Sequence, residues 1–237
     1  MHFTAELQRL LLPNCCVVCE RMVERAIPDD LVCAVCRSRF QVVAPGCERC
    51  GQPLPPIGPC RFCVAWPDAL GQARSAVWLT GGARDIVHHL KYDDYPALAG
   101  VAAETICRAL PRPAGDALLP IPLAPRKLRL RGYNQAAVLA WELGRRWRMD
   151  VREGALRRAR ETTTQTALTP TARLANVASA FSATRAAGKS AILIDDVLTT
   201  GATLRAAAES LASAGWQRVA AVTFARALPF ERRALEG

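Results

Sequence analysis

The chain has 237 residues, 51% of them hydrophobic, enough for a real core in one large or two modest domains. Its formal net charge of +10 favours anionic partners, either phosphorylated small molecules or nucleic acid. The opening Met1–Glu6 has no basic segment leading into a long apolar one, so no secretory signal is expected. No uninterrupted apolar stretch approaches the ~20 residues that span a bilayer. A cytoplasmic protein is expected, and there the ten cysteines are more readily metal ligands than disulfides.

In chain order, residues 4–12 read as a short amphipathic helix, with Leu7, Leu10 and Leu11 on one side and Pro13 ending it. Four Cys-x-x-Cys pairs follow: Cys16/Cys19, Cys33/Cys36, Cys47/Cys50 and Cys60/Cys63. Two intervening residues let both thiolates face one tetrahedral ion, and two such knuckles close a structural site. Four knuckles therefore predict two structural Zn2+ ions, most simply paired in sequence order, although spacing alone leaves an interleaved pairing open. A thioredoxin-like redox motif would use one pair beside a βαβ unit. Cys15 and Cys107 are left over. Cys15 could substitute for Cys16, and Cys107 falls in an apolar helical pattern that reads as core. Gly51 to Pro59 reads as the loop of the second ribbon. Trp66-Pro67 to about Gly71 reads as the boundary between a head, 1–70, and a second domain, 71–237.

Ser75–Leu79 is the first strand candidate. Arg84–Lys91 reads as a helix with Ile86, Val87 and Leu90 apolar. His88 and His89 are adjacent, so different faces are expected for them; either could serve as a metal ligand or base, but solvated or packed histidines are the reading favoured. Lys91, at the helix end, is the better candidate, as a phosphate contact. A helix from Pro96 to about Leu110 and a turn from Pro111 to Gly115 lead to a second buried strand, Ala117–Ile121. Next comes a basic loop with Arg126, Lys127, Arg129 and Arg131, then Gly132, a capping Asn134, Gln135, and a helix marked by Leu139, Leu143 and Trp147. A strand end, cations and a helix N-terminus together suit a polyanion; the bland alternative is a solvated basic face. Arg157 to Asn176 has few large apolar residues and reads as a mobile flap, with Gln165, Arg173 and Asn176 its distinctive polar groups.

The most informative stretch is Ala191 to Thr203. Four apolar residues, then Asp195-Asp196, then Thr199-Thr200-Gly201-Ala202-Thr203, predict a buried parallel strand turning into a helix N-terminus. Unpaired N–H groups and the positive helix end hold a phosphate there, the threonine hydroxyls add donors, and Gly201 permits close approach. The two acids suit the two hydroxyls of a ribose. The helix runs from Leu204 to Ala214, with Leu204, Ala208 and Leu211 on one face and Gly215 as cap; Arg218–Arg226 is the last strand, and the tail from Leu228 is charged. No G-x-G-x-x-G follows any strand candidate, which argues against a Rossmann site. Strand–helix alternation from about residue 75 predicts an α/β domain with a mainly parallel sheet. Ligands bind such sheets beyond the carboxyl ends of the strands, so one cleft would hold both anion sites.

Residues Ala191 to Thr203 resemble the PRPP-binding motif of type I phosphoribosyltransferases. The order of the motifs, namely knuckles, His89-Leu90-Lys91-Tyr92, Pro120-Ile121-Pro122-Leu123, Arg131-Gly132-Tyr133-Asn134-Gln135, Arg157 with Gln165, Arg173 with Asn176 and Phe181, and the PRPP motif, resembles the competence protein F family over roughly residues 14 to 226. The resemblance implies an α/β fold with a mainly parallel sheet of the type I phosphoribosyltransferase kind behind a small cysteine-rich double zinc ribbon. It implies PRPP bound with Mg2+, the diol on Asp195 and Asp196, the 5-phosphate on Thr199 to Thr203, and the pyrophosphate half near Lys91, Arg126, Arg129, Arg131 and Gln135. It also implies a part in natural transformation. No nucleobase-reading hood is recognisable, which leaves the acceptor open. The competing reading is a non-catalytic module that binds single-stranded DNA or a competence helicase, motivated by cationic stretches at 126–131, 145–148 and 157–160.

Overall fold

The computed structural model describes residues 15–23, 31–55, 58–158, 180–186 and 190–228. In chain order the elements are helix α1 (Ala34–Ser38), strand β1 (Leu70–Trp78), helices α2 (Gly81–Tyr92) and α3 (Leu98–Ala109), strand β2 (Ala117–Pro120), helices α4 (Pro125–Arg131) and α5 (Gln135–Trp147), strands β3 (Leu156–Arg158), β4 (Phe181–Ala183) and β5 (Ser190–Leu198), helix α6 (Ala202–Ser213) and strand β6 (Arg218–Arg226). β1, β6, β5 and β2 form a parallel sheet in that order; β3 and β4 pair antiparallel in a separate sheet of two.

The uninterrupted apolar run in β5 is explained by its central place, since both of its faces are covered. Ile192 and Ile194 pack on one side with Ile86 of α2, Leu98 of α3 and Leu139 of α5. Ala191 and Leu193 pack on the other with Leu204 and Leu211 of α6. All are buried, and each large one contributes about 1.5–3 kcal/mol of hydrophobic stabilisation. Because the strands are parallel, their carboxyl ends share one edge. The turns after β2 and β5 therefore open on the same side.

The two ribbons dock on different parts of this body. Cys16, Val23, Val32 and Cys36 share a core with Ala83, Ile86 and Val87 of α2, and Arg37 pairs with Glu104 of α3 at 2.8 Å. Cys50, Cys60, Cys63 and Trp66 share the opposite core with Leu70, Leu198 and Leu204. Between the ribbons, Val42 pairs antiparallel with Val77 at the edge of β1.

Several expectations need correction. β1 starts at Leu70 rather than Ser75, because its pairing with β6 begins at Leu70 opposite Val219 and passes an irregularity before Gln72. α2 starts at Gly81, one turn before Arg84. The basic loop is a helix, α4: Pro125 stands in its first turn, Arg, Lys and Leu are good helix formers, and Gly132 ends it at φ 79°. The expected N-terminal helix at 4–12, the flap residues Gln165, Arg173 and Asn176, and the tail beyond Leu228 lie outside the described residues. Among the described residues, no helix is long and apolar enough to cross a membrane.

Candidate functional site

The cysteines gather as two clusters in sequence order, Cys16, Cys19, Cys33 and Cys36, and Cys47, Cys50, Cys60 and Cys63, with the sulfurs of each cluster within 4.8 Å of one another. Cys19 and Cys33 stand 3.8 Å apart, and Cys47–Cys63 and Cys50–Cys60 stand 3.6 Å apart. Tetrahedral zinc with Zn–S near 2.3 Å puts its sulfurs about 3.8 Å apart, so both clusters fit the ion. Backbone N–H groups support the thiolates: Cys33 donates to Cys16 Sγ, and Cys36 to Cys33 Sγ, each at 3.4 Å. Burial raises the Cys16 thiol, but these and neighbouring backbone donors outweigh it and bring it down to about 7. Cys15 is exposed and outside the cluster; Cys107 is half-buried and packs against the core.

The second site is a cleft of about 410 Å3 at the carboxyl edge of the sheet. Its floor is the turn after β5. Asp195, Asp196, Thr199 and Thr203 line it, with Ile121 to Leu123 after β2 as one wall. Lys91 and Tyr92 enter from the end of α2, Lys127 and Arg131 from α4, Gln135 from α5 and Arg158 from β3. Sequence-distant groups thus converge because parallel strands end together. Arg126 and Arg129 lie on the same helix as Lys127 but do not line the cleft.

The two acids are surrounded by polar and cationic side chains. Asp196 is 3% exposed; Lys91 Nζ stands 2.7 Å from its Oδ2, and Gln135 Nε2 donates to its Oδ1 at 3.4 Å. Gln135 in turn accepts from Arg131. The Asp195 carboxyl is pushed well above the ordinary range, first by desolvation and then by the Asp196 charge. Gly201 holds φ 77° at the N-terminus of α6, a left-handed backbone that glycine tolerates best. Beside it Thr200 Oγ1 accepts from Ala202 N at 3.4 Å, so one threonine supports the turn itself. Tyr133 donates to the Leu90 carbonyl at 2.6 Å, tying the α4–α5 junction to the end of α2 that carries Lys91. Asn134 caps α5 as expected, its Oδ1 accepting from Ala136 N at 3.0 Å.

Two residues escaped the sequence reading. Arg158 reaches the cleft because the strand alternation that buries Leu156 repeats every second residue. Trp66 packs under the Thr-Thr-Gly turn, a contact that no local signal encodes. The histidines also differ from expectation: rather than facing apart, His88 and His89 both bring Nδ1 to Asp93 Oδ2, at 3.1 and 2.9 Å. The cationic stretch at 145–148 is partly neutralised, because Arg145 and Arg146 both pair with Glu142 at 2.7 and 2.5 Å.

Comparison with known proteins finds the phosphoribosyl transferase domain over residues 133–233 and the double zinc ribbon domain over residues 7–64. The chain is 28% identical to the DNA utilization protein YhgH of Salmonella typhi over 215 residues, covering 85% of this chain and 92% of that one. It is 29% identical to the competence protein ComFC of Bacillus subtilis over 199 residues, covering 79% and 80%. To the competence protein F of Haemophilus influenzae it is 32% identical over 116 residues, covering 47% and 51%.

Proposed function

We propose that this chain, which matches the double zinc ribbon and phosphoribosyl transferase domains and is similar to competence proteins, is a member of the competence protein F family whose cleft binds PRPP and transfers its phosphoribosyl group to a nucleophile. The observation that carries this reading is the convergence of an acid pair, a threonine–glycine turn and cations from three other elements in one cavity. Residues 1–70 would form the head and 71–237 the transferase body.

The turn at Thr199 to Thr203 holds the 5-phosphate through N–H groups and hydroxyls at the positive end of α6. Asp195 and Asp196 accept from the ribose 2- and 3-hydroxyls. Lys127 and Arg131 line the same cavity and offset charge on departing pyrophosphate; positioned cations are effective where water is excluded. The acid pair offers the hard oxygen donors that Mg2+ prefers beside substrate oxygens, and the ion would supply neutralisation of the pyrophosphate. Lys91 pairs with Asp196 at 2.7 Å and holds that carboxylate in place until substrate arrives. The bond from C1 to pyrophosphate breaks as the acceptor's electron pair reaches C1. Names given to the relatives, competence and DNA utilization, suggest that the reaction serves the handling of DNA.

Calorimetric titration with PRPP and Mg2+, followed by a pyrophosphate assay across bases, amines and DNA ends, tests the reading. Saturable binding with pyrophosphate release is expected; no heat with PRPP would sink it. Asp196→Asn should weaken PRPP binding roughly tenfold or more, since a diol acceptor and the Lys91 partner are lost together. Affinity should also fall on acidification at a higher pH than an ordinary carboxylate allows, because Asp195 is raised and takes up its proton sooner.

A further inference from the structure

The indole of Trp66 lies where a side chain on Gly201 would sit. A Cβ built there would be 3.0 Å from Trp66 Cζ2, 3.2 Å from Nε1 and 3.3 Å from Cε2. The ring is 6% exposed and buries with Leu198 and Leu204, the residues that flank the turn. A left-handed glycine turn has no side chain of its own to lock it, so its shape depends on what it rests against. Here that support comes from a different domain.

The support is fixed in turn by the second cysteine cluster. Trp66 follows Cys63 by three residues, and its N–H donates to the Cys63 carbonyl at 3.1 Å. Arg49 sits inside the Cys47–Cys50 knuckle. Its guanidinium donates to the carbonyls of Cys63, Trp66 and Pro67 at 3.3, 3.1 and 2.7 Å. The Phe62 ring meets the indole edge-on at 5.8 Å, and Arg226 of β6 lies over Phe62 at 4.5 Å while donating to the Cys50 carbonyl at 2.6 Å. Knuckle, arginine and indole thus form one packed unit, closed on one side by the metal site and on the other by the phosphate turn.

We infer that Trp66 is a positioning residue for the anion-binding turn, and that the second cysteine cluster, by fixing Trp66, sets the affinity of the cleft for phosphate. This rests on the reading of the cleft as a phosphate site. Trp66 touches no substrate; it acts by holding Gly201 and the N–H groups around it in register.

The test uses the full zinc-loaded chain, with inorganic phosphate and PRPP–Mg2+ as probes. Trp66→Ala should weaken both at least tenfold, Trp66→Phe less, and addition of phosphate should change an indole emission that is missing from Trp66→Phe. Trp216→Phe is the control, since Trp216 is 2% exposed in the same core beyond the far end of α6. It should lower the melting temperature and leave both affinities unchanged. Equal loss of affinity in Trp66→Ala and Trp216→Phe would reduce the effect to global destabilisation and overturn the inference. Wild-type affinity in Trp66→Ala would overturn it while leaving the cleft reading intact. Failure of the wild type to bind either probe would overturn both.

Discussion

Two ribbons of the same four-cysteine chemistry are attached to this body in different ways. The first covers α2 and α3, where Cys16 and Cys36 bury beside Ile86 and Val87 and Arg37 reaches Glu104. The second lies against the turn after β5, with Trp66 beneath Gly201 and Arg226 reaching into its Cys47–Cys50 knuckle. If Trp66 positions the turn as inferred above, identical metal chemistry serves stability in one place and the geometry of a binding turn in another. What a ribbon packs against decides its role.

The sharpest break between them comes from removing a zinc ligand from each. Cys36→Ser and Cys50→Ser should each lose one of two zinc equivalents by metal analysis and destabilise the fold by several kcal/mol, lowering the melting temperature by about 10 °C or more. Only Cys50→Ser should also lose PRPP affinity at temperatures where the protein is still folded. Equal losses of affinity would erase the distinction.

A matched pair of glycines gives a smaller contrast. A Cβ on Gly82 would stand 2.9 Å from Val18 of the first ribbon; one on Gly201 would stand 3.0 Å from Trp66 of the second. Gly82→Ala should cost about 1–2 kcal/mol, measured by denaturant unfolding, with phosphate affinity unchanged. Gly201→Ala carries the left-handed backbone penalty as well, about 1–3 kcal/mol in all, and should also weaken phosphate. The smallest effect is expected at the first ribbon's ion pair. Arg37→Met should cost about 1 kcal/mol, because the pair is only partly shielded from solvent, and should leave binding untouched.

How far the sequence could be read depended on the range of the interactions. The turn after β5 was legible because strand, acids, threonines and glycine are contiguous, and each follows from local physics. The cysteine clusters were legible because ligand spacing is a local constraint, and sequence-order pairing needs only a short loop. The helical state of Pro125 to Arg131 was missed because charge suggested a solvated loop, while Leu128 and Leu130 stay exposed and supply no buried face to read. The contacts of Lys91 with Asp196 and of Trp66 with Gly201 join residues more than a hundred positions apart. No periodicity records such pairs; they exist only once the parallel sheet has brought the strand ends together.

The segment between the ribbons carries one more consequence. Val43 N donates to the Ala76 carbonyl at 3.0 Å and Trp78 N to the Gln41 carbonyl at 2.8 Å, so a few residues of the head run along the outer rim of β1. At the opposite rim Val151 bridges to Leu118. Bare rims of this kind recruit other chains by strand addition. Residues 41–43 therefore cover the carboxyl end of β1, and a head that lets go of the body would uncover hydrogen-bonding groups there for another strand to take.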